Sequence, residues 1–456
     1  MPMMPVTDSM FLMVETREHP MHVGGLQLFR KPDGAGEDYL RELRRSLLES
    51  DNMRSVFRRR PSRPVNTVGH LRWSTETDLE LDYHFRHSAL PQPGRIRELL
   101  ELASRWHSTL LDRHRPLWEF HLIEGLRDGR FAMYSKIHHS LMDGVSAVRH
   151  MQGTLSDDPA DLDCPPPWGS RGETGRSRNN RAPSSLFDAA GKTFGQLTGI
   201  APAAAKVARE AFREHRLTLP MQAPRTMLNV PIGGARRFAA QSWPLERVRA
   251  IATAAGTSRN DVVLAMCAGA LRDYLIEQSA LPDAPLVAMV PVSLRRRDAQ
   301  EATGNNIGAL LCNLATDLPD PADRLAGISA SMSNGKKLFS QLSPLQTLLL
   351  SGINVAALGI SPIPGVVSNT RPPFNLVISN VPGPRTQMYW NGAALDGIYP
   401  ASVLLDGQAL NITLTSNGDN LDFGITGCRR SVPHLQRILT HLDTALAELE
   451  GATGLR

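Results

Sequence analysis

The chain is poor in cysteine, lysine and aromatic residues, and it has no long apolar run; each shortage removes a class of protein. The four cysteines, Cys164, Cys267, Cys312 and Cys428, lie far apart and form no CxxC pair. This argues against a disulfide framework or a structural zinc site and for a reducing compartment. The most apolar stretch, residues 348–360, is 13 residues long, short of the roughly 20 that a spanning helix needs. The start, MPMMPVTDSMFLMVE, lacks a basic region followed by an apolar core and a small-residue cleavage site, which reads against secretion. Lysine occurs six times, so the net charge of +5 is carried by arginine. The arginines are scattered and aromatics are only 5%, so the platforms and clustered patches of a nucleic-acid module are missing. Anionic small molecules and anionic lipid surfaces stay open as partners.

What is present is a folded composition. Hydrophobic residues make up 41% and charged residues 21% of 456, enough for two ordinary cores instead of one very large one. With so few rings, aliphatic residues and methionine must fill most of the interior. Residues 38–49 and 95–111 carry apolar side chains at three- and four-residue spacing, predicting amphipathic helices. Residues 118–125 and 130–137 flank Asp128-Gly129, predicting a tight hairpin. The second strand of that hairpin runs into His138 and His139, and residues 140–155 read as a helix.

Residues 156–185 have no periodicity and are rich in turn formers, predicting an exposed connector; a crossover helix is expected within 186–215. Beyond it, helices are expected over 244–255, 260–277 and 433–450, the second capped by Asn260 or Asp261. Strands are expected over 286–291, 374–380, 409–416 and 422–427. The organisation is therefore residues 1–155, a connector and crossover helix over 156–215, and residues 216–456. A site shared by the two α/β parts would lie in the cleft between them. Residues 341–367 are apolar enough to form a core helix pair, a cavity wall or a membrane-resting element.

The string from Lys136 to Gly144, KIHHSLMDG, carries the chemistry. A histidine at a strand end can aim a neutral imidazole into a crevice, where it is well suited to general-base work. Neighbouring strand residues face opposite ways, so only one of the pair can address a given substrate. Paired histidines serve structure as readily as chemistry. A metal pair is disfavoured, because HHxxxD lacks the one-face spacing of HExxH. No GxSxG elbow and no catalytic cysteine context is present, so no covalent nucleophile is expected.

His138, His139, Asp143 and Gly144 reproduce the HHxxxDG motif of coenzyme A-dependent acyltransferases. The wider chain resembles the bacterial wax ester synthase/acyl-CoA:diacylglycerol acyltransferase family. The resemblance includes Pro20-Met21-His22-Val23-Gly24-Gly25, Leu111-Asp112-Arg113, Arg115-Pro116-Leu117-Trp118 and Asn260-Asp261-Val262-Val263-Leu264-Ala265. It continues through Pro291-Val292-Ser293-Leu294-Arg295, Gly304-Asn305-Asn306 with Gly308, and Ser379-Asn380-Val381-Pro382-Gly383-Pro384. It implies an α/β, two-domain fold like chloramphenicol acetyltransferase, with the active-site tunnel between the domains.

The implied activity is transfer of a fatty acyl group from acyl-CoA to a long-chain alcohol, giving a wax ester, and to diacylglycerol, giving triacylglycerol. Acyl-CoA is then a substrate, and no metal or other cofactor is needed. His139 is the implied base, with His138, Asp143 and Gly144 supporting it. Asp143 is expected to pair with an arginine, for which Arg295 is the candidate, or else to cap the helix. Ser379 and Asn380 are candidates for tunnel or oxyanion contacts, unless Val381-Pro382-Gly383-Pro384 merely ends a strand. The alternatives are another alcohol or amine acceptor, or a non-catalytic lipid-droplet protein, against which the intact motif stands. The expected setting is cytoplasmic, with peripheral contact to the inner membrane or lipid inclusions and no nucleic acid. The sequence specifies no oligomeric state.

Overall fold

The hairpin expected around Asp128-Gly129 anchors the first of two mixed sheets. Gly129 takes a left-handed φ of 80°, its N–H donates to Leu126 O, and Asp128 Oδ1 accepts the N–H of Arg130 at 3.2 Å. Glycine adopts that conformation without steric cost. The structure is a computed structural model whose described residues are 3–62, 71–171, 221–293, 307–341, 367 and 370–455.

In chain order the first part supplies α1 (Val6–Val14), β1 (His22–Arg30), α2 (Tyr39–Glu49), β2 (Arg59–Ser62), β3 (Arg72–Thr75) and α3 (Leu81–His84). There follow β4 (Phe85–Ala89), α4 (Ile96–His107), β5 (Trp118–Glu124), β6 (Phe131–His138) and α5 (Gly144–Gly153). The second part supplies β7 (Arg236–Pro244), α6 (Leu245–Ala254), α7 (Arg259–Glu277), β8 (Val287–Ser293), β9 (Ile307–Asn313) and α8 (Pro321–Gln341). It continues with β10 (Leu376–Val381), β11 (Tyr389–Trp390), β12 (Ala393–Ala401), β13 (Leu410–Asn417), β14 (Asn420–Cys428) and α9 (Arg437–Ala452).

One six-stranded sheet has the order β11-β12-β1-β6-β5-β4 and the other β7-β14-β13-β10-β8-β9. The first sheet thus takes two strands from the second part of the chain: β12 lies antiparallel to β1, with Gly24 opposite Ala401. β6 is central and buried at every position. Phe131, Met133 and Ile137 join one apolar cluster, and Ala132 and Tyr134 join another on the opposite face. Leu99 and Leu100 of α4 cover that second face, with Leu102 partly buried beside them. In the second part, α7 is buried from Asp261 to Leu271, which fits its nearly unbroken apolar sequence. A Cβ on Gly269 would come within 2.8 Å of Ala445 Cβ, so glycine sets the close approach of α7 and α9.

Three expectations change. The start of the presumed exposed connector is built into the first part: Cys164 and Trp168 are buried, and the Trp168 ring lies 5.0 Å from Phe85 and 6.0 Å from Trp118. Pattern reading missed this because two apolar residues among prolines carry no period. The cap of α7 is Ser258, whose Oγ accepts the Asp261 N–H at 3.2 Å; Asn260 is already inside the helix. The helix expected over 140–155 starts only at Gly144, and its Val145 and Val148 line the cavity described below. The crossover helix within 186–215, Gly304-Asn305-Asn306, Arg295 and nearly all of residues 341–367 lie outside the described residues. No described helix is long and apolar enough to cross a membrane.

Candidate active site

The alternation of β6 divides the two histidines. His139 has the parity of Ser135 and Ile137 and with them lines a cavity between the two sheets. His138 points the other way and is fully buried. The chain then turns sharply, with the N–H groups of Leu141 and Met142 both donating to His138 O. Asp143 caps α5: its Oδ1 accepts the Ser146 N–H and its Oδ2 the Ser146 hydroxyl, each at 2.9 Å. Both carboxylate oxygens of Asp143 are therefore committed to the first turn of the helix, and Arg295 is not among the described residues. A Cβ on Gly144 would meet only Val23 Cγ1, at 3.7 Å. The glycine is thus not needed for packing; it leaves room in the cavity wall.

His139 is held from two sides. Its backbone N–H donates to Met21 O at 2.8 Å, and its ring stacks on Phe11 of α1 at 4.2 Å between centroids. Behind it lies a buried ionic chain. Ser140 N donates to His138 Nδ1 at 3.1 Å, which leaves the His138 proton on Nε2, 3.3 Å from Glu15 Oε1. Glu15 Oε1 also accepts the Met21 N–H at 3.1 Å, and Oε2 accepts from Arg113 Nε and Nη2 at 3.1 and 2.9 Å. Burial alone would raise the Glu15 pKa. Its contacts with His138, Met21 and Arg113 overcome that and hold it below the usual carboxylate range. One carboxylate therefore fixes both His138 and the residue that anchors the His139 backbone.

The same face of the sheet buries further polar groups. Lys136 is 1% exposed with Glu119 Oε2 3.9 Å away, and burial pushes its pKa down to about 8. Burial pushes His107 to about 3 and holds His22 well below the ordinary imidazole value. Neutral His107 donates from Nε2 to Ser402 O at 3.2 Å and accepts the Tyr134 hydroxyl at Nδ1 at 2.9 Å. It thereby ties α4 and β6 to the residue that follows β12.

The cavity wall is mostly aliphatic, from Val23, Ile137, Val145, Val148, Met289, Val377, Val381 and Leu405, as a site for a hydrocarbon chain requires. Ser379 lines it, whereas its strand neighbour Asn380 is exposed and does not. The expectation that both face the site is corrected by the two-residue period of a strand. Gly383 in the following Pro-Gly-Pro turn is required by backbone contact, since a Cβ there would fall 1.8 Å from Ser416 O. Trp118 is core, with its indole N–H donating to Phe57 O at 2.7 Å.

Sequence reasoning missed Glu15, Ser402, Asn411 and Thr413. Glu15 carried no local signal. Asn411 and Thr413 did: alternate polar residues in a strand otherwise filled with Ile and Leu mark a polar stripe on a buried face. Among the described residues no group of three or more His, Cys, Asp or Glu is arranged to hold a metal ion.

Two mixed sheets meeting over an HHxxxDG strand end match the acyltransferase class that the motif implies. A family model described as the wax ester synthase/diacylglycerol acyltransferase catalytic domain matches residues 3–263, and one for the C-terminal domain of the same family matches residues 303–450. The chain is 55% identical over 453 residues to the probable diacylglycerol O-acyltransferase tgs2 of Mycobacterium tuberculosis, covering 99% of each. It is 43% identical over 455 residues to the O-acyltransferase WSD of Acinetobacter baylyi, covering 99% of this chain and 97% of the other. The solved wax ester synthase/diacylglycerol acyltransferase of Marinobacter aquaeolei superposes with a TM-score of 0.79 at 42% identity, covering 99% of this chain and all of the other. The first condensation domain of the CDA synthetase shares the fold, with a TM-score of 0.60 at 16% identity. The chain belongs to the wax ester synthase/diacylglycerol acyltransferase family.

Proposed function

We propose that this protein transfers a fatty acyl group from acyl-CoA to a long-chain alcohol and to diacylglycerol, with His139 as general base. The observation that carries this reading is the orientation of His139: it alone of the pair borders the aliphatic cavity, braced by Phe11 and Met21. Neutral His139 takes the proton of the acceptor hydroxyl as its oxygen attacks the thioester carbonyl. The tetrahedral oxyanion collapses, the carbon–sulfur bond breaks, and the imidazolium returns the proton to the departing thiolate. Both substrates are bound together, so transfer is direct and no acyl-enzyme forms.

Residues 1–155 and 216–456 act as the two acyltransferase parts that enclose the cavity, joined through 156–215. The protein works in the cytoplasm and touches a membrane or lipid inclusion peripherally. Exposed Met10 and Met13 on α1, the helix whose Phe11 braces His139, support this contact. The test presents the purified protein with one labelled long-chain acyl-CoA and a mixture of fatty alcohols and diacylglycerol. Labelled wax ester and triacylglycerol are the expected products; exclusive transfer to another acceptor class would overturn the assignment.

A further inference from the structure

We infer that Asn411 is a catalytic residue whose side-chain amide donates to the thioester oxygen as it becomes the oxyanion; this rests on the reading of His139 as the base. Asn411 sits on β13, is 7% exposed and lines the same cavity as His139. Its orientation is set by a relay. Asn411 Oδ1 can only accept, so the Thr413 hydroxyl, 2.7 Å away, donates to it. With its proton committed, Thr413 Oγ1 accepts from the Ser402 hydroxyl at 2.9 Å. Ser402 is itself pinned, its N–H donating to Thr426 Oγ1 at 3.2 Å and its carbonyl accepting from His107. The relay leaves the Asn411 Nδ2 protons without a hydrogen-bond partner among the described residues, at the cavity wall. A buried amide donor held in place before the charge develops is what oxyanion stabilisation requires.

The register places Ser402, at the end of the relay, on the cavity face that His139 borders. Ala401 is opposite Gly24, and Gly24 is opposite Lys136. Ser402, the residue after β12, is one position further, in line with Val23 and Ile137, about 10 Å across the sheet from β6, which leads into His139. His139, Ser402 and Asn411 all border the one cavity, in which the reacting carbonyl would sit. Other polar groups in the cavity are committed or remote. Ser135 donates to Gly25 O, Ser146 to Asp143, and Gln408 to Phe374 O. Gln27 is level with Met133, about 20 Å along the sheet from His139. Ser379, level with Thr413 on the neighbouring strand, is the rival donor, but no relay fixes its hydroxyl.

The test measures kcat, KM and the pH dependence of wax ester formation for purified variants, with a long-chain acyl-CoA and a fatty alcohol, alongside thermal unfolding. Asn411→Ala and the isosteric Asn411→Asp should each lower kcat by about 10²- to 10³-fold, with KM within about 3-fold and the fold retained. Asn411→Ala should keep the shape of the wild-type pH profile, which a changed base would alter. Thr413→Val, which only frees the amide to rotate, should lose about 10-fold in kcat and little in KM, and Ser379→Ala should lose less than that. Asn411 variants with kcat within 3-fold of wild type, or with a loss confined to KM, would overturn the assignment. So would a loss in Ser379→Ala larger than in Asn411→Ala. An active His139→Ala alongside impaired Asn411 variants would instead refute the base on which the proposal rests, so the two failures are distinguishable.

Discussion

Replacing Glu15 by glutamine probes how the proposed base is held, because this carboxylate contacts His138, Met21 and Arg113 behind it. Its side chain is 1% exposed and accepts from Met21 N and twice from Arg113, with His138 Nε2 at 3.3 Å. Glutamine keeps the shape and the bond from Met21 but removes the charge. Breaking a fully buried ion pair by removing one partner costs about 3–5 kcal/mol. Arg113 is 39% exposed and can turn to water, so the loss should be smaller, about 2 kcal/mol, in line with lost hydrogen bonds to a charged group. Activity should suffer separately. Met21 O anchors the His139 backbone, and a shift approaching 1 Å at a catalytic group costs up to about 10²-fold. Turnover should slow by about 10- to 100-fold, with KM for acyl-CoA little changed. Release of the coenzyme A thiol gives the rate, and urea unfolding the stability. Glu15→Gln with wild-type turnover and wild-type stability would refute this account of the site.

Two further outcomes follow from burial. Trp168→Ala should cost about 3–5 kcal/mol in denaturant unfolding, because the ring is fully buried among Phe85, Trp118 and Phe120; a change under 0.5 kcal/mol would mean that the segment is an exposed connector after all. Burial pushes His84 and His150 down to about 4 and His107 to about 3, below the ordinary value of 6.5. Groups kept neutral by folding contribute fully above 6.5 and lose that contribution as pH falls toward their folded values. Together the three should withdraw up to about 4 kcal/mol of stability per pH unit between roughly pH 6 and 4.5; a flat unfolding profile across that range would contradict the assigned burial.

Local chemistry made part of this molecule legible in its sequence. The Asp128-Gly129 hairpin, the amphipathic α2 and α4 and the strand leading into His138 all follow from periods and turn residues. What was not legible depends on pairing across long separations. No pattern in residues 393–401 announces that β12 joins β1, more than 360 positions earlier. Helix α8 was missed because Ser, Asn and Gly interrupt its middle (SASMSNG) and weaken local propensity. The Ser258-to-Asp261 spacing was a readable capping box, passed over for the neighbouring Asn260. At the site, the motif pointed to His139, which lines the cavity, and strand alternation could have separated Ser379 from Asn380. Glu15 was invisible because it acts through Met21 and His138, contacts that only the folded chain brings together.

The proposed mechanism turns on proton transfer by His139. Its most direct test is the single-turnover rate of ester formation by His139→Ala, from bound acyl-CoA and a fatty alcohol, with folding checked by thermal unfolding. A folded protein whose rate has dropped by about two orders of magnitude or more is expected. A folded His139→Ala that forms ester within a few-fold of the wild-type rate would contradict it.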